Sequence, residues 1–275
     1  MEIKTKDYNF TIKPRTCLNT NKFDFFIDIT GKCDAQCLFC CNDNKNDNDI
    51  NLQQLEIDFL MVKDKVARIV ISGGEPLLDS LKLERLLKLV SSFDTKIKII
   101  TNGHKLDERL LLLDKYGVES VQLSRHHYLD KKNDEIFTKK MLTIKKFGEI
   151  IQYHKSMKFS LNCLLIRGYV DSAEEIVIFL ERCSHIGIDA VKFVGLMQVN
   201  EYCRENFVDY KKVIQVLPMD FLQTGGRKDE DRCSCVQFIY VAENGAVINV
   251  RFRHIAIFSK TDRAVRFNSD GIGRF

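Results

Sequence analysis

The chain has 275 residues, with 42 basic and 38 acidic side chains, so its formal net charge of +4 does not by itself indicate a nucleic-acid or membrane partner. Ten cysteines exceed what a cytosolic chain usually carries but are too few for a disulfide scaffold. The first ten residues lack an apolar signal segment, and no stretch is long enough for a membrane helix. We therefore expect a cytoplasmic protein with one large domain, or one domain plus a small appendage.

Strands and helices are predicted to alternate along most of the chain. Apolar runs predict strands, and apolar residues at helical spacing predict the helices between them. The predicted strands are residues 23–29, 68–72, 96–101, 120–124, 158–166 and 190–195, and the predicted helices are residues 52–65, 77–90, 106–116, 134–154 (with a possible break at Gly148) and 173–186. Such alternation implies right-handed βαβ units around a parallel sheet. We therefore predict an α/β fold, a (β/α)6-type partial TIM barrel with a small C-terminal β-containing extension.

The predicted domains are an N-terminal segment at residues 1–22, the partial barrel at residues 23–199, and a C-terminal cap or extension at residues 200–275. A short strand is predicted around residues 8–12. Beyond the barrel, residues 201–217 have a helical pattern and residues 224–232 form a charged loop. Two alternating strands, residues 236–242 and 246–252, flank Glu243-Asn244-Gly245, which predicts a hairpin.

Three cysteines follow the first barrel strand at offsets of four and three: Cys33, Cys37 and Cys40. Thiolates are the soft ligands of iron–sulfur clusters, which normally take four of them. Three ligands leave one iron open to a group that is not protein. Structural zinc and simple electron transfer remain alternatives, although neither a second cysteine pair nor a terminal Cys-Pro follows nearby.

A second motif, Gly73-Gly74-Glu75-Pro76, follows the second predicted strand. Two glycines allow the backbone to approach a ligand without interference from a Cβ atom, and proline is tolerated in the first turn of a helix. The carboxylate can accept hydrogen bonds from an ammonium group. A tight turn between strand and helix is the alternative explanation.

The cysteine spacing, with an aromatic residue before the last cysteine, resembles the signature of the radical S-adenosylmethionine (SAM) superfamily, and the Gly-Gly-Glu-Pro motif resembles the one that holds the SAM amino group there. The resemblance implies a [4Fe-4S] cluster on the three cysteines, with SAM on the open iron. It also implies reductive cleavage of SAM to a 5′-deoxyadenosyl radical that abstracts hydrogen from a substrate. Residues 191–197 are similar to the molybdenum-cofactor cyclase branch, and the C-terminal cysteines to the SPASM/twitch branch. The implied SAM-binding residues are Phe39, Gly73, Gly74, Glu75, Ser124, Arg125 and Asn162.

Thr101-Asn102-Gly103 ends the third strand and resembles a further motif of the family, although an ordinary turn explains it equally well. For Arg125, an outward salt bridge is the alternative to a SAM contact. All of these motifs lie at the carboxyl ends of predicted strands, where βα barrels place their sites.

The substrate is indicated only in outline. His126-His127-Tyr128 follows a barrel strand, where these side chains would donate hydrogen bonds, carry protons or stack on a base; packing under the next loop is the alternative. A basic tail favours an anionic ligand; its cations are Arg251, Arg253, Lys260, Arg263, Arg266 and Arg274. We expect a small, anionic or nucleoside-like substrate, with a ribosomally made peptide or a non-catalytic iron–sulfur or zinc protein as alternatives.

The resemblance also implies a flavodoxin-type or ferredoxin-type electron donor, and we expect neither a membrane nor a nucleic-acid partner. Family members with C-terminal extensions often carry an auxiliary cluster on cysteines such as Cys203, Cys233 and Cys235. Fewer than four thiols are present there, so the sequence leaves open whether this chain has no auxiliary cluster or one.

Overall fold

The computed structural model describes residues 2–4, 9–11, 22–40, 50–217, 221–226, 235–254, 264–267 and 273–274. Its strands are β1 (Glu2–Lys4), β2 (Asn9–Thr11), β3 (Phe23–Asp28), β4 (Val66–Ser72), β5 (Ile97–Thr101), β6 (Ser120–Ser124), β7 (Lys158–Leu165), β8 (Ala190–Gly195), β9 (Phe221–Gly226), β10 (Val236–Val241), β11 (Val247–His254), β12 (Ala264–Phe267) and β13 (Gly273–Arg274). Its α-helices are α1 (Leu52–Val62), α2 (Ser80–Val90), α3 (Leu106–Lys115), α4 (Asp130–Phe137), α5 (Ile144–Tyr153), α6 (Ala173–His185), α7 (Glu201–Glu205) and α8 (Tyr210–Ile214).

Eleven of the described strands form one open sheet in the order β13-β12-β3-β4-β5-β6-β7-β8-β11-β10-β9. Strands β3 to β8 are parallel neighbours in chain order. Right-handed crossovers between such neighbours place every connecting helix on the same face of the sheet. The predicted (β/α)6-type partial barrel is confirmed.

The two faces of this sheet differ in polarity. Successive strand residues point to opposite faces, and along β7 buried Leu161 and Cys163 alternate with half-buried Ser160 and Asn162. The buried set joins the helices in one large core. The other face is the inner, concave side of the barrel, and it carries polar and charged side chains among apolar ones.

The predicted hairpin is confirmed: β10 and β11 pair in antiparallel fashion, and Val241 lies opposite Val247 next to the turn. Strand β11 also pairs in parallel with β8, with Arg251 opposite Lys192. The C-terminal strands therefore continue the barrel sheet. The predicted boundary after residue 199 stays a prediction.

Three local predictions need correction. The helical region after β6 breaks between Thr138 and Thr143, where Thr138 takes a left-handed conformation (φ 54°) and Thr143 caps α5. Gly148 instead lies inside α5, where a Cβ would be 3.0 Å from Ile186 Cγ2. Residues 201–217 contain two short helices because Phe207 between them bridges to Ile166. The predicted loop at residues 224–232 overlaps strand β9, and its remainder lies outside the described residues.

Candidate active site

The cysteine loop connects β3 to α1 at the carboxyl edge of the sheet. Cys33 and Cys40 are exposed and Cys37 is half-buried. Burial, together with the neighbouring thiols of Cys40 and Cys33, raises the pKa of the Cys37 thiol to about 12. Burial also raises the pKa of Cys33. A positively charged iron centre is the partner that offsets this cost and favours the thiolates.

The donor set fits an iron–sulfur cluster, because three thiols lie on one short loop and each iron of a cluster takes one of them. Across the described ranges, this loop included, no three His, Cys, Asp or Glu side chains converge closely enough to hold a single metal ion, so the three thiols suit a cluster of several irons and not a mononuclear site.

The Gly-Gly turn holds the base of this loop. The Gly74 amide donates to Thr30 O (2.7 Å) and the Glu75 amide donates to Lys32 O (2.8 Å). A Cβ on Gly73 would lie 2.5 Å from Thr30 O, and one on Gly74 would lie 2.1 Å from Lys32 O. The close approach predicted from the glycines is therefore made to the backbone of the protein itself, just before Cys33.

Glu75 is fully buried behind the same loop. Its carboxylate accepts hydrogen bonds from the Leu77 amide (3.0 Å), the Thr101 hydroxyl (2.6 Å) and the Asn102 amide (2.7 Å). Burial raises the pKa of Glu75 to about 7, although these donors oppose the rise. A direct contact between this carboxylate and the SAM ammonium stays a prediction.

A polar network follows the first cysteine, and the sequence analysis missed it. The Asn102 side chain donates to Asp34 Oδ1 (2.9 Å) and approaches Cys33 Sγ (3.9 Å). Asp34 Oδ2 lies 2.6 Å from His104 Nδ1 and 3.2 Å from Lys139 Nζ. Burial favours a higher pKa for Asp34, but the hydrogen bonds from Asn102 and Lys139 hold it below its ordinary value. The polar and charged residues of the loop after the third predicted strand are the sequence signal that could have indicated this network.

The far end of the cysteine loop is held by residues that follow β8. Asn200 Nδ2 donates to Leu38 O (2.9 Å), and the Cys203 thiol contacts Phe39 O (3.8 Å). The Phe39 ring packs edge-on against His126, with centroids 5.0 Å apart. Cys203 is fully buried there, in a small apolar cluster. Cys233 lies outside the described residues, and Cys235 is buried at the start of β10.

The remaining predicted SAM contacts divide into two groups. Ser124 and Asn162 are opposite each other in the β6–β7 register and are half-buried on the inner face. Arg125 is 1% exposed, and its guanidinium donates to Leu142 O and Tyr128 O and pairs with Asp130. Arg125 therefore ties down the β6–α4 connection, and its contact with SAM stays a prediction.

The two histidines after β6 do not face the barrel opening. His126 is stacked on Phe137 with centroids 4.8 Å apart, and its Nδ1 accepts from the Leu164 amide. Burial lowers the pKa of His126 to about 3 and that of His127 to about 4. Both rings are neutral packing residues, as the alternative explanation stated.

Polar and charged side chains on the inner face form what we call the polar lumen: Asp24, Arg68, Lys98, Gln122, Lys192 and Arg251. Arg68 pairs with Asp24 (2.8 Å), and Lys98 Nζ donates to Gln122 Oε1 (2.6 Å). Burial lowers the pKa of Lys98 to about 8, and the charges of Arg68 and Arg251 contribute.

Lys98 lies on β5 and Arg251 on β11, with three strands between them in the sheet, so these cations approach each other across the curved inner face. Arg68 Nε is buried, and its N–H donates to no acceptor within the described ranges. The alternation of Arg68 and Lys98 with apolar neighbours was the sequence signal for this face. Four cations face one carboxylate in this set, so the lumen suits an anion.

Comparisons with known proteins agree with this geometry. A GTP 3′,8-cyclase from Aquifex aeolicus is 24% identical over 258 residues, which cover 89% of this chain and 78% of the relative. Molybdenum cofactor biosynthesis protein 1 from Bos taurus is 24% identical over 263 residues, covering 89% of this chain and 40% of the relative. The structure of Streptococcus suis SuiB bound to the precursor peptide SuiA is similar in fold, with a TM-score of 0.65 and 18% identity.

The similarity to SuiB covers 91% of this chain but only 58% of the SuiB chain. Of the helices that the structure describes, none combines the length and apolar character needed to span a bilayer. The sequence profile described as "Radical SAM superfamily" matches residues 27–209, which include the cysteine loop, the Gly-Gly-Glu turn and strands β4 to β8. The chain is therefore an enzyme of the radical SAM superfamily, whose cofactors are a [4Fe-4S] cluster and SAM.

Proposed function

We propose that Cys33, Cys37 and Cys40 hold the [4Fe-4S] cluster and that the enzyme acts on a small anionic substrate in the polar lumen. When bound, the cluster would supply the electron for reductive cleavage of SAM to a 5′-deoxyadenosyl radical, the species that would abstract hydrogen from the substrate. The cysteine thiols support this assignment because they lie together at the carboxyl edge of the sheet.

The residues proposed to bind SAM and those proposed to bind the substrate lie in two separate regions. Ser124 and Asn162, on neighbouring strands between the cysteine loop and the lumen, are the proposed polar contacts for SAM. Gly73 and Gly74 hold the turn beside the loop. The lumen below them would bind and orient the substrate.

The observation that carries the substrate class is the charge of the lumen. Arg68, Lys98 and Arg251 converge from β4, β5 and β11, and Lys98 carries a lowered pKa because its ammonium is buried near other cations. A phosphate or carboxylate group relieves that repulsion and accepts charge-assisted hydrogen bonds. Since similar proteins are named GTP 3′,8-cyclase, a purine nucleoside triphosphate is the first substrate to test.

The peptide alternative has weaker support. The SuiB structure contains a precursor peptide, but at 18% identity the likeness concerns the fold alone. A flavodoxin-type or ferredoxin-type protein is the proposed electron donor.

Two measurements test the proposal on anaerobically reconstituted protein. The wild type should bind a [4Fe-4S] cluster and, once reduced, release 5′-deoxyadenosine from SAM. The triple variant Cys33→Ala/Cys37→Ala/Cys40→Ala should do neither at that site, whereas the control Cys183→Ala, in the buried core, should do both. SAM cleavage by the triple variant would end the proposal.

The substrate class is tested by equilibrium titration. GTP should bind at least about tenfold more tightly than guanosine, since each charge-assisted hydrogen bond contributes about 1.5–3 kcal/mol. Equal affinities for GTP and guanosine would show that the lumen cations do not contribute to substrate binding.

A further inference from the structure

A chain of hydrogen bonds connects the Gly-Gly-Glu turn to the first cysteine. Glu75 accepts from the Asn102 amide, and the Asn102 side chain then reaches both Asp34 and Cys33. These contacts join the second, third and first barrel strands of the chain at their carboxyl ends. Glu75 and Asn102 are both buried, whereas Cys33 is exposed, so the chain of hydrogen bonds leads from the interior to the cysteine loop.

We propose that Glu75, Asn102 and Asp34 are positioning residues that fix Cys33 and set the reduction potential of the cluster. This inference rests on the proposed cluster at Cys33, Cys37 and Cys40. Glu75 then acts through Asn102, because its carboxylate is fully buried and already accepts three hydrogen bonds from the chain.

Asn102 contributes through a donor directed at sulfur. Its Nδ2 lies 3.9 Å from Cys33 Sγ, and a second hydrogen bond to Asp34 Oδ1 fixes its orientation. Reduction adds negative charge to a cluster, and hydrogen bonds to its sulfurs stabilise that charge. Removing this donor therefore makes the cluster harder to reduce.

Asp34 contributes with the opposite sign. Its carboxylate directly follows Cys33 in the chain and is held by His104 from the β5–α3 turn and by Lys139 from the α4–α5 connection. A fixed negative charge beside the cluster opposes the added electron. Neutralising it makes the cluster easier to reduce, while the shape of the side chain is kept.

The opposite signs provide the test. Midpoint potentials are measured by EPR-monitored redox titration of the reconstituted wild type, Asn102→Leu and Asp34→Asn. We expect a more negative potential for Asn102→Leu and a more positive one for Asp34→Asn. The matched control is Asn200→Leu, because the Asn200 side chain holds the same loop through backbone groups: it donates to Leu38 O and accepts from the Cys203 amide. Its potential should equal that of the wild type.

Glu75→Gln extends the test to the buried end of the chain. In this variant the side-chain NH2 group of residue 75 replaces one carboxylate oxygen. It then faces the backbone N–H of either Asn102 or Leu77, so two donors oppose each other. We expect its potential to shift in the same direction as that of Asn102→Leu. An unchanged potential in Glu75→Gln, together with weaker SAM binding in a titration, would assign Glu75 to SAM instead.

The remaining outcomes also decide the matter. The inference is overturned if Asn102→Leu and Asp34→Asn have the midpoint potential of the wild type. It is also overturned if their potentials and that of Asn200→Leu all shift in one direction. If Asn102→Leu does not fold, Asp34→Asn decides alone, because its change in shape is smallest. A wild type without a cluster contradicts the proposed function, whereas a wild-type cluster with unshifted variants contradicts only this inference.

Discussion

Replacement of Lys98 by methionine should make the protein more stable and, at the same time, a weaker binder of anions. Lys98 is half-buried in the polar lumen, with its ammonium on Gln122 and near Arg68 and Arg251. Its pKa falls from 10.5 to about 8, which corresponds to a cost of about 3 kcal/mol for keeping it charged in the folded protein. Methionine has a similar length and carries no charge.

The loss of the Gln122 hydrogen bond opposes this gain. An acceptor left without its donor costs about 1–3 kcal/mol, so the net stabilisation near neutral pH is about 0–2 kcal/mol. The two contributions separate by pH, because only the lysine titrates. Since the folded pKa lies below the unfolded value, the penalty for Lys98 is complete below about pH 8 and disappears as the pH rises to 10.5.

The assay is urea denaturation of wild type and Lys98→Met at several pH values. The stability advantage of the variant over the wild type should fall by about 2 kcal/mol between pH 7 and pH 10. Lys96→Met is the control, because Lys96 is exposed at the edge of the same strand and pairs with Glu119 on the surface. A constant difference across this pH range would show that Lys98 is not a buried charge.

Anion binding by the same variant should change in the other direction. Loss of one charge-assisted contact should weaken GTP binding about ten- to a hundredfold in an equilibrium titration, and binding by the wild type should weaken as the pH rises through about 8. Lys96→Met should leave both properties unchanged. If Lys98→Met binds GTP as tightly as the wild type, the lumen cations do not hold the substrate.

Two further variants test the packing around the cysteine loop. Gly74→Ala should lower both the melting temperature and the iron content after reconstitution, because its Cβ would meet Lys32 O at 2.1 Å. Gly168→Ala is the control, since nothing lies within 4 Å of its new Cβ. The only cost there is the left-handed backbone conformation, about 1–2 kcal/mol. Equal losses in the two variants would contradict a specific role for the turn. Arg125→Met should lower the stability by about 1–3 kcal/mol, because the Leu142 and Tyr128 carbonyls lose their donor; an unchanged SAM dissociation constant would limit Arg125 to this structural role. Weaker SAM binding in that variant would instead support the contact predicted from the sequence.

The sequence alone determined the features that depend on local pattern. Apolar runs predict β6 and β8 at their observed bounds, and two alternating strands around Glu243-Asn244-Gly245 predict the β10–β11 hairpin, because these patterns lie in neighbouring residues. The spacing of Cys33, Cys37 and Cys40, together with the Gly-Gly-Glu turn, indicated the family for the same reason.

The tertiary structure decided what each motif touches. The sequence assigned the Gly73 and Gly74 approach to a ligand, but the approach is made to Thr30 and Lys32, which are distant in the chain. His126 and His127 follow a strand, yet packing against residues such as Phe137 and Leu164 buries them. In the sequence Arg251 belongs to a basic tail, and only the parallel pairing of β11 with β8 brings it into the lumen near Lys98. Contacts between residues far apart in the chain depend on sheet order and curvature, and the periodicity of a single strand contains neither.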